Sequence, residues 1–349
     1  MAAEVRDFNP RDHLPGKLAH RLDRYAQFAV AAARMAVEDA GIDPAGVEAE
    51  RGGVYLGTAL GGTAGAEAEH VKYMSGGLRA VNPLLALSVF GASASTNVAM
   101  YLGLNGPCTC NANGCAAGAI AVGDAFHAVR SGLVDMALAG GAEAPLMPLT
   151  FGAFAIIRAM SSRNDDPGHA CRPFDIGRDG FVMGEGAALL VLEERDRALR
   201  RGAHPIAEVV GFAQTCDAYR MTAPRPDGAQ AARAITLALG DAAIPPEAIG
   251  YIKAHGSSTP LNDTAETAAI HRALGDQATR IPVSGTKGLH AHSLGASGAI
   301  EAAITSLALH EGYLPPTANL ETRDPACDLD LIQGGGREQR VTYALCDSF

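Results

Sequence analysis

The chain has 349 residues, 48% hydrophobic and 19% charged, which excludes a disordered polymer and leaves room for two domains or one large duplicated one. A formal charge of −10 excludes nucleic-acid binding by overall electrostatics, so an acidic partner would need a local basic patch. No apolar run reaches the ~20 residues of a membrane span, no secretory signal opens the chain, and seven cysteines without a CxxC pair read as free thiols in a reducing cytoplasm.

Residues 1–17 are polar and broken by proline. Tyr25, Phe28, Ala29, Ala32, Met35 and Ala36 then recur at helical spacing and predict a helix that stops at Gly41. Lys17, Arg21 and Arg24 precede that stripe at helix-compatible spacing and read as a solvated face. Residues 53–59 predict a buried strand entering a turn at Gly61-Gly62, and 64–74 a further helix. The stretch 105–132, NGPCTCNANGCAAGAIAVGDAFHAVRSG, is a polar punctuated segment delivering Cys115 onto a helix that stops at Ser131-Gly132. The small residues Ala116, Ala117, Gly118 and Ala119 make its first turn slim, open to close approach by backbone or substrate. A thiol at a helix start faces unpaired N–H groups and the positive dipole end, which favours thiolate; the competing role is small core filler.

Strand 134–139 follows, ending in Gly140-Gly141-Ala142-Glu143, and the loop 161–180 is rich in Arg, Asp, Pro and Gly, the composition of a long ordered loop. Strand 186–193 closes the first half. The second half repeats the grammar, with strand 206–215, helix 229–239, strand 250–255, helix 264–274, strand 281–286, helix 293–309 and strand 341–346. Alternating elements in both halves predict an α/β architecture with buried sheets.

Two loops after strands concentrate chemistry, where α/β proteins place their sites. AHGSSTPLND offers His255, Ser257, Ser258 and Thr259, and SGTKGLHAHSLGASGAIEA offers Lys287, His290 and His292. A lone histidine after a strand is more often structural, and a lone lysine in a glycine-rich loop a solvated charge. His290 and His292 with a cysteine could also ligate zinc, but Cys108, Cys110 and Cys115 lack structural-zinc spacing and no HExxH occurs.

Taken together, these motifs closely resemble the β-ketoacyl-[acyl-carrier-protein] synthases, the elongating condensing enzymes of fatty-acid and polyketide synthesis, over nearly the whole chain. Cys115 in NGCAAGAIAVGDA matches the family's nucleophile, His255 and His292 its two catalytic histidines, and Lys287 its lysine. SSRNDDPGHACRPFDIGRDGFVMGEGA and CDAYRMTAPRPDG are also typical of the type II-like branch. The resemblance implies a thiolase-like five-layered αβαβα fold of two similar halves, residues 1–203 carrying the nucleophile and 204–349 carrying both histidines and the lysine. It further implies a homodimer, with acyl carrier protein as partner, phosphopantetheine-borne substrates, and no metal or redox cofactor.

Within that resemblance Cys115 takes the acyl group, His255 and His292 stabilise the enolate formed on decarboxylation, and Lys287 works with Glu301. Ser257 and Thr259 would bind the phosphopantetheine arm and Leu60 would wall the acyl pocket. Lys17, Arg21, Arg158 and Arg163 would form a patch for an acidic carrier protein. The chain departs from the family at Gly114, where Ala is usual, at Asn113, at Ser257 in place of Thr, and at Ala291 in place of Gly. The family also continues beyond both ends, so the resemblance makes this chain an internal stretch, short by roughly 50 residues in front and by an oxyanion-hole loop behind. A thiolase-type acyltransferase would carry a second catalytic cysteine in place of one histidine. A catalytically silent partner subunit of the chain-length-factor type would lack the nucleophile.

Overall fold

A computed structural model of the chain describes residues 1–349, the side chain of Ala45 excepted. The principal elements of the first half are α1 (Arg24–Asp39), β1 (Gly52–Gly57), α2 (Thr63–Gly76), α3 (Ala92–Leu102), β2 (Cys108–Asn111), α4 (Ala117–Arg130), β3 (Met136–Glu143), α5 (Pro148–Ile156) and β4 (Gly186–Glu193). Those of the second half are α6 (Ala229–Ala242), β5 (Ile249–Lys253), α7 (Pro260–Leu274), β6 (Pro282–Ser284), α8 (Ser297–Glu311), β7 (Asp330–Leu331) and β8 (Tyr343–Cys346). The strands form two four-stranded sheets, β2-β1-β3-β4 and β8-β5-β6-β7. All neighbours run parallel except β3 and β4.

Period-two alternation assigns the faces. Val54, Leu56, Met136 and Leu138 point into a core with Tyr25, Phe28, Val30 and Val37 of α1 and Val98 of α3. Tyr55, Ala137 and Ala139 point the other way, onto Ala121, Val122, Ala125 and Ala128 of α4. In the second sheet Ile252 and Val283 pack outward on Ile235, Leu239, Ile270 and Leu274 of α6 and α7, while Tyr251 packs inward with Ala308 of α8. With α4 and α8 back to back between the sheets, the layers run αβαβα, as the family resemblance implied.

The slim first turn of α4 is filled by protein backbone. A Cβ on Gly118 would lie 2.8 Å from the Ala299 nitrogen, and one on Gly298 only 2.6 Å from the Ala119 nitrogen. Glycine at both positions lets the middle helices touch and brings the two halves' loops to one point. α4 ends as predicted: Gly132 (φ +71) donates to the Val129 carbonyl at 3.0 Å and Leu133 to the Ala128 carbonyl at 2.9 Å, the paired bonds of a Schellman cap.

Two expectations are corrected. Residues 206–215 form no strand; residues 206–210 are exposed and no neighbouring strand bonds to them, so their β-propensity has nothing to pair with. Lys17, Arg21 and Arg24 do not share a helical face, because the short helix Gly16–Ala19 stops before α1 begins. Arg24 is an ion-pair residue, with two bonds of 2.8 Å to the buried Glu185 carboxylate.

Candidate active site

Cys115 stands on a single turn, Gly114–Ala116, at the head of α4. Gly114 takes φ +59 in open space, so the departure from alanine puts glycine where the backbone is left-handed. The sulfur meets the second half's two histidines: one donor atom each of Cys115, His255 and His292 all lie within 4.8 Å of one another. The two imidazoles pack edge to face, with ring centroids 5.2 Å apart.

Their hydrogen bonds decide the tautomers. The Leu294 N–H donates to His292 Nδ1 at 3.2 Å, so that nitrogen is unprotonated and Nε2 carries the hydrogen; Ser297 Oγ adds a contact to Nδ1 at 2.8 Å. Lys287 Nζ lies 3.2 Å from His255 Nδ1 and fixes the same tautomer there. Burial, reinforced by the positive charge of Lys287, holds both histidines well below the usual value of 6.5, so each is a neutral N–H donor.

Lys287 is itself fully buried and bonds the Glu301 carboxylate and the His255 carbonyl. Lys253, a charge in an otherwise apolar strand, also donates to Glu301 at 3.1 Å. Below His255 the Glu266 and Asp347 carboxylates accept its backbone N–H at 2.6 and 2.8 Å. Glu143, buried at the end of β3, accepts from Thr58 Oγ1 at 3.0 Å, from the Ala59 and Leu60 amides, and from the Gly295 amide at 3.1 Å. Lys253, Glu143, Glu266 and Asp347 escaped the sequence reading; the visible signals were Lys253 inside an apolar strand and Glu143 closing one.

The thiolate expectation is reversed. Burial pushes the Cys115 thiol up to about 11; Lys287 opposes this, and Glu143 and Glu301 add to it. Desolvation in the apolar surroundings outweighs the helix start. Those surroundings are Met160, Phe181, Met183 and Leu294, with Leu60, Leu146, Phe151 and Phe154 against them, so Leu60 and Cys115 share one cluster. Ser257 Oγ and Thr259 Oγ1 lie 2.9 Å apart, and Thr259 caps α7 by accepting from the Asn262 amide at 3.2 Å. Lys17, Arg21 and Arg158 are exposed, and Arg163 is half-buried against the Gly177 carbonyl at 3.2 Å.

A metal on Cys115, His255 and His292 would need both Nε2 atoms as lone-pair donors, which opposes the tautomers fixed above. His290, the other histidine weighed for zinc, bonds Thr286 Oγ1 at 3.0 Å instead.

A cysteine facing two neutral imidazole N–H donors, with a buried lysine behind one of them, suits thioester exchange followed by stabilisation of a developing oxyanion. Family comparison agrees with that chemistry: the model for the beta-ketoacyl synthase N-terminal domain matches residues 3–198, and that for the C-terminal domain matches residues 206–321. The chain belongs to the beta-ketoacyl synthase family. Relatives within the family include 3-oxoacyl-[acyl-carrier-protein] synthase 2 of a Synechocystis species, 47% identical over all of this chain and 84% of the relative. The ketoacyl synthase alpha subunit of the tetracenomycin polyketide synthase of Streptomyces glaucescens is 46% identical over 99% of this chain and 82% of the relative. Among solved structures, a type II polyketide ketosynthase bound to its acyl carrier protein superposes with a TM-score of 0.91 at 40% identity, covering 93% of this chain and 81% of that one. In this synthase the strand-end loops of both halves converge on the cysteine, and no helix among the described residues is long and apolar enough to cross a membrane.

Proposed function

We propose that this synthase catalyses decarboxylative Claisen condensation, joining an acyl group to malonyl-carrier protein to give 3-oxoacyl-carrier protein. The observation that carries the reading is one ring nitrogen each of His255 and His292 within 4.8 Å of the Cys115 sulfur, in rings whose Nδ1 atoms are already engaged by Lys287 and the Leu294 N–H. In the first half-reaction Cys115 sulfur attacks the acyl thioester, its proton passes to the departing phosphopantetheine thiol, and acyl-Cys115 forms. In the second, the malonyl C–CO2 bond breaks and its electron pair moves into the thioester carbonyl, giving an enolate whose oxygen accepts hydrogen bonds from His255 and His292. The enolate carbon attacks acyl-Cys115, the Cys115 sulfur leaves as thiolate and takes one proton from solvent to restore the thiol, and the 3-oxoacyl thioester departs on the carrier. The substrate supplies thioester and carboxylate, so the scheme calls for no metal or redox cofactor. Lys287 and Glu301 hold His255 and its charge balance, Ser257 and Thr259 face the phosphopantetheine arm, and Leu60 walls the acyl chain.

Carrier protein would dock on Lys17, Arg21, Arg158 and Arg163, four exposed or half-exposed cations on a chain of net charge −10. A second copy of the chain would add to β2, which ends its sheet with exposed Cys108 and Thr109. Seven unpaired cysteines fit a cytoplasmic protein. The presence of Cys115 favours the enzyme over a silent chain-length-factor partner.

Intact-protein mass measurement after incubation with acyl-carrier protein tests the reading. An acyl adduct is expected on the wild type and absent from Cys115→Ala; an adduct that persists in Cys115→Ala refutes the nucleophile. Undiminished malonyl decarboxylation in His255→Ala and His292→Ala refutes the histidine roles.

A further inference from the structure

Within that proposed reaction, we infer that Glu143 is a positioning residue that ties the acyl pocket wall in one half to the tautomer-fixing turn of His292 in the other. Its side chain is fully buried at the C-terminal end of β3. One oxygen, Oε1, accepts from Thr58 Oγ1 at 3.0 Å and from the Leu60 amide at 3.2 Å. The other, Oε2, accepts from the Ala59 amide and from the Gly295 amide at 3.1 Å. Oε1 therefore holds the turn that carries Leu60 into the Cys115 cluster. Oε2 also holds the turn Leu294–Ala296, whose first N–H donates to His292 Nδ1. Leu294 is left-handed (φ 42), and a single carboxylate keeps that turn registered against the opposite half.

All four partners donate to the carboxylate, and three of them are backbone N–H groups that can only donate, so an amide cannot satisfy the full set. In Glu143→Gln the orientation that costs least keeps the carbonyl at the Oε2 position and turns the NH2 toward Thr58, whose hydroxyl can accept. The Leu60 amide is then left facing another donor, while Gly295 keeps its partner. Glu143→Ala releases both turns. The two substitutions accordingly separate the wall from the histidine.

The test measures two rates and one spectrum on wild type and variants, with urea unfolding to establish that each variant is folded. Acyl-Cys115 formation is followed by mass for short and long acyl-carrier proteins, malonyl decarboxylation by product release, and the His292 tautomer by imidazole nitrogen-15 NMR, assigned with His292→Gln. Glu143→Gln is expected to slow acylation by about tenfold or more, most for the long acyl group, with a smaller loss of decarboxylation and His292 still Nε2-protonated. Glu143→Ala is expected to slow both and to mix the tautomers. Equal loss in both half-reactions for Glu143→Gln, or no loss, overturns the inference. So does an unchanged tautomer in Glu143→Ala. Should Glu143→Gln not fold, Thr58→Val removes one donor to Oε1 and must reproduce the chain-length effect. A wild type that takes no acyl group refutes the proposed reaction, and the tautomer spectrum then decides the role of Glu143 by itself.

Discussion

Replacing Ala291 with glycine should stabilise this synthase although it removes a buried methyl group. Ala291 precedes His292 and sits at φ 61, ψ −167, a region that essentially only glycine enters freely. It is held there from both sides: its N–H donates to the Lys287 carbonyl at 2.7 Å, and the His292 N–H donates to the Val182 carbonyl at 2.8 Å. An alanine in that region costs ~1–3 kcal/mol. Glycine relieves the strain, adds ~0.4–1 kcal/mol of unfolded-state entropy, and forfeits ~0.8 kcal/mol of methyl burial against Ala170, Cys171 and Val182. With strain in the upper half of its range, the net gain is ~1 kcal/mol, or ~1–2 °C in Tm for a chain of this size. Urea midpoints of wild type, Ala291→Gly and Ala291→Val measure it. The β-branched valine should lose at least ~2 kcal/mol relative to alanine. A glycine variant less stable than wild type by more than ~1 kcal/mol would show that methyl packing outweighs strain, and the reasoning would fail.

Three further outcomes follow from the geometry. His255 and His292 fold with their pKa held below the usual 6.5, so the unfolded chain binds more protons. Their contribution is complete above pH ~6.5 and is lost as pH falls, by up to ~1.4 kcal/mol per pH unit for each. Urea midpoints at several pH values should therefore fall less steeply for a His255→Gln/His292→Gln double variant than for wild type, and parallel profiles would contradict the assignment. With the Cys115 thiol pushed up to about 11, iodoacetamide labelling of Cys115 should rise about tenfold per pH unit between pH 7 and 9; a plateau by pH 8 would restore the thiolate. Gly57→Ala would place a Cβ 2.2 Å from the Ala117 carbonyl carbon, and its cost should reach ~3 kcal/mol, read as a lowered urea midpoint or loss of soluble protein. An unchanged midpoint would refute the close approach of β1 to the cysteine helix.

What the sequence revealed and what it hid divide along a physical line. The strand Gly186–Glu193 and the helix Ala117–Arg130 were legible because a run of apolar residues, or a helical stripe with a capping glycine, is written locally. By sequence, Cys108–Asn111 belongs to a polar punctuated segment: Cys-Thr-Cys-Asn is short, polar at alternate positions and exposed at a sheet edge, so only pairing with β1 makes it a strand. The stretch 206–215 fails in the opposite sense, since it has the composition of a strand and lacks the partner. Cys115, His255, Lys287 and His292 could be named because the motifs around them resemble those of a known family, whereas each residue alone left a structural role open. Glu143 could not, because its donors come from 85 residues before it and 152 after it, and no local pattern marks a carboxylate at the end of a strand as the meeting point of two halves. The strained Ala291 is intermediate. The resemblance marks its position as one where the family carries glycine, but only the hydrogen bonds on either side show what holds alanine in a conformation it would otherwise leave. The cysteine, histidines and lysine of this site therefore lie in short motifs, while the buried carboxylates and the strained backbone packed around them come together only once the two halves meet.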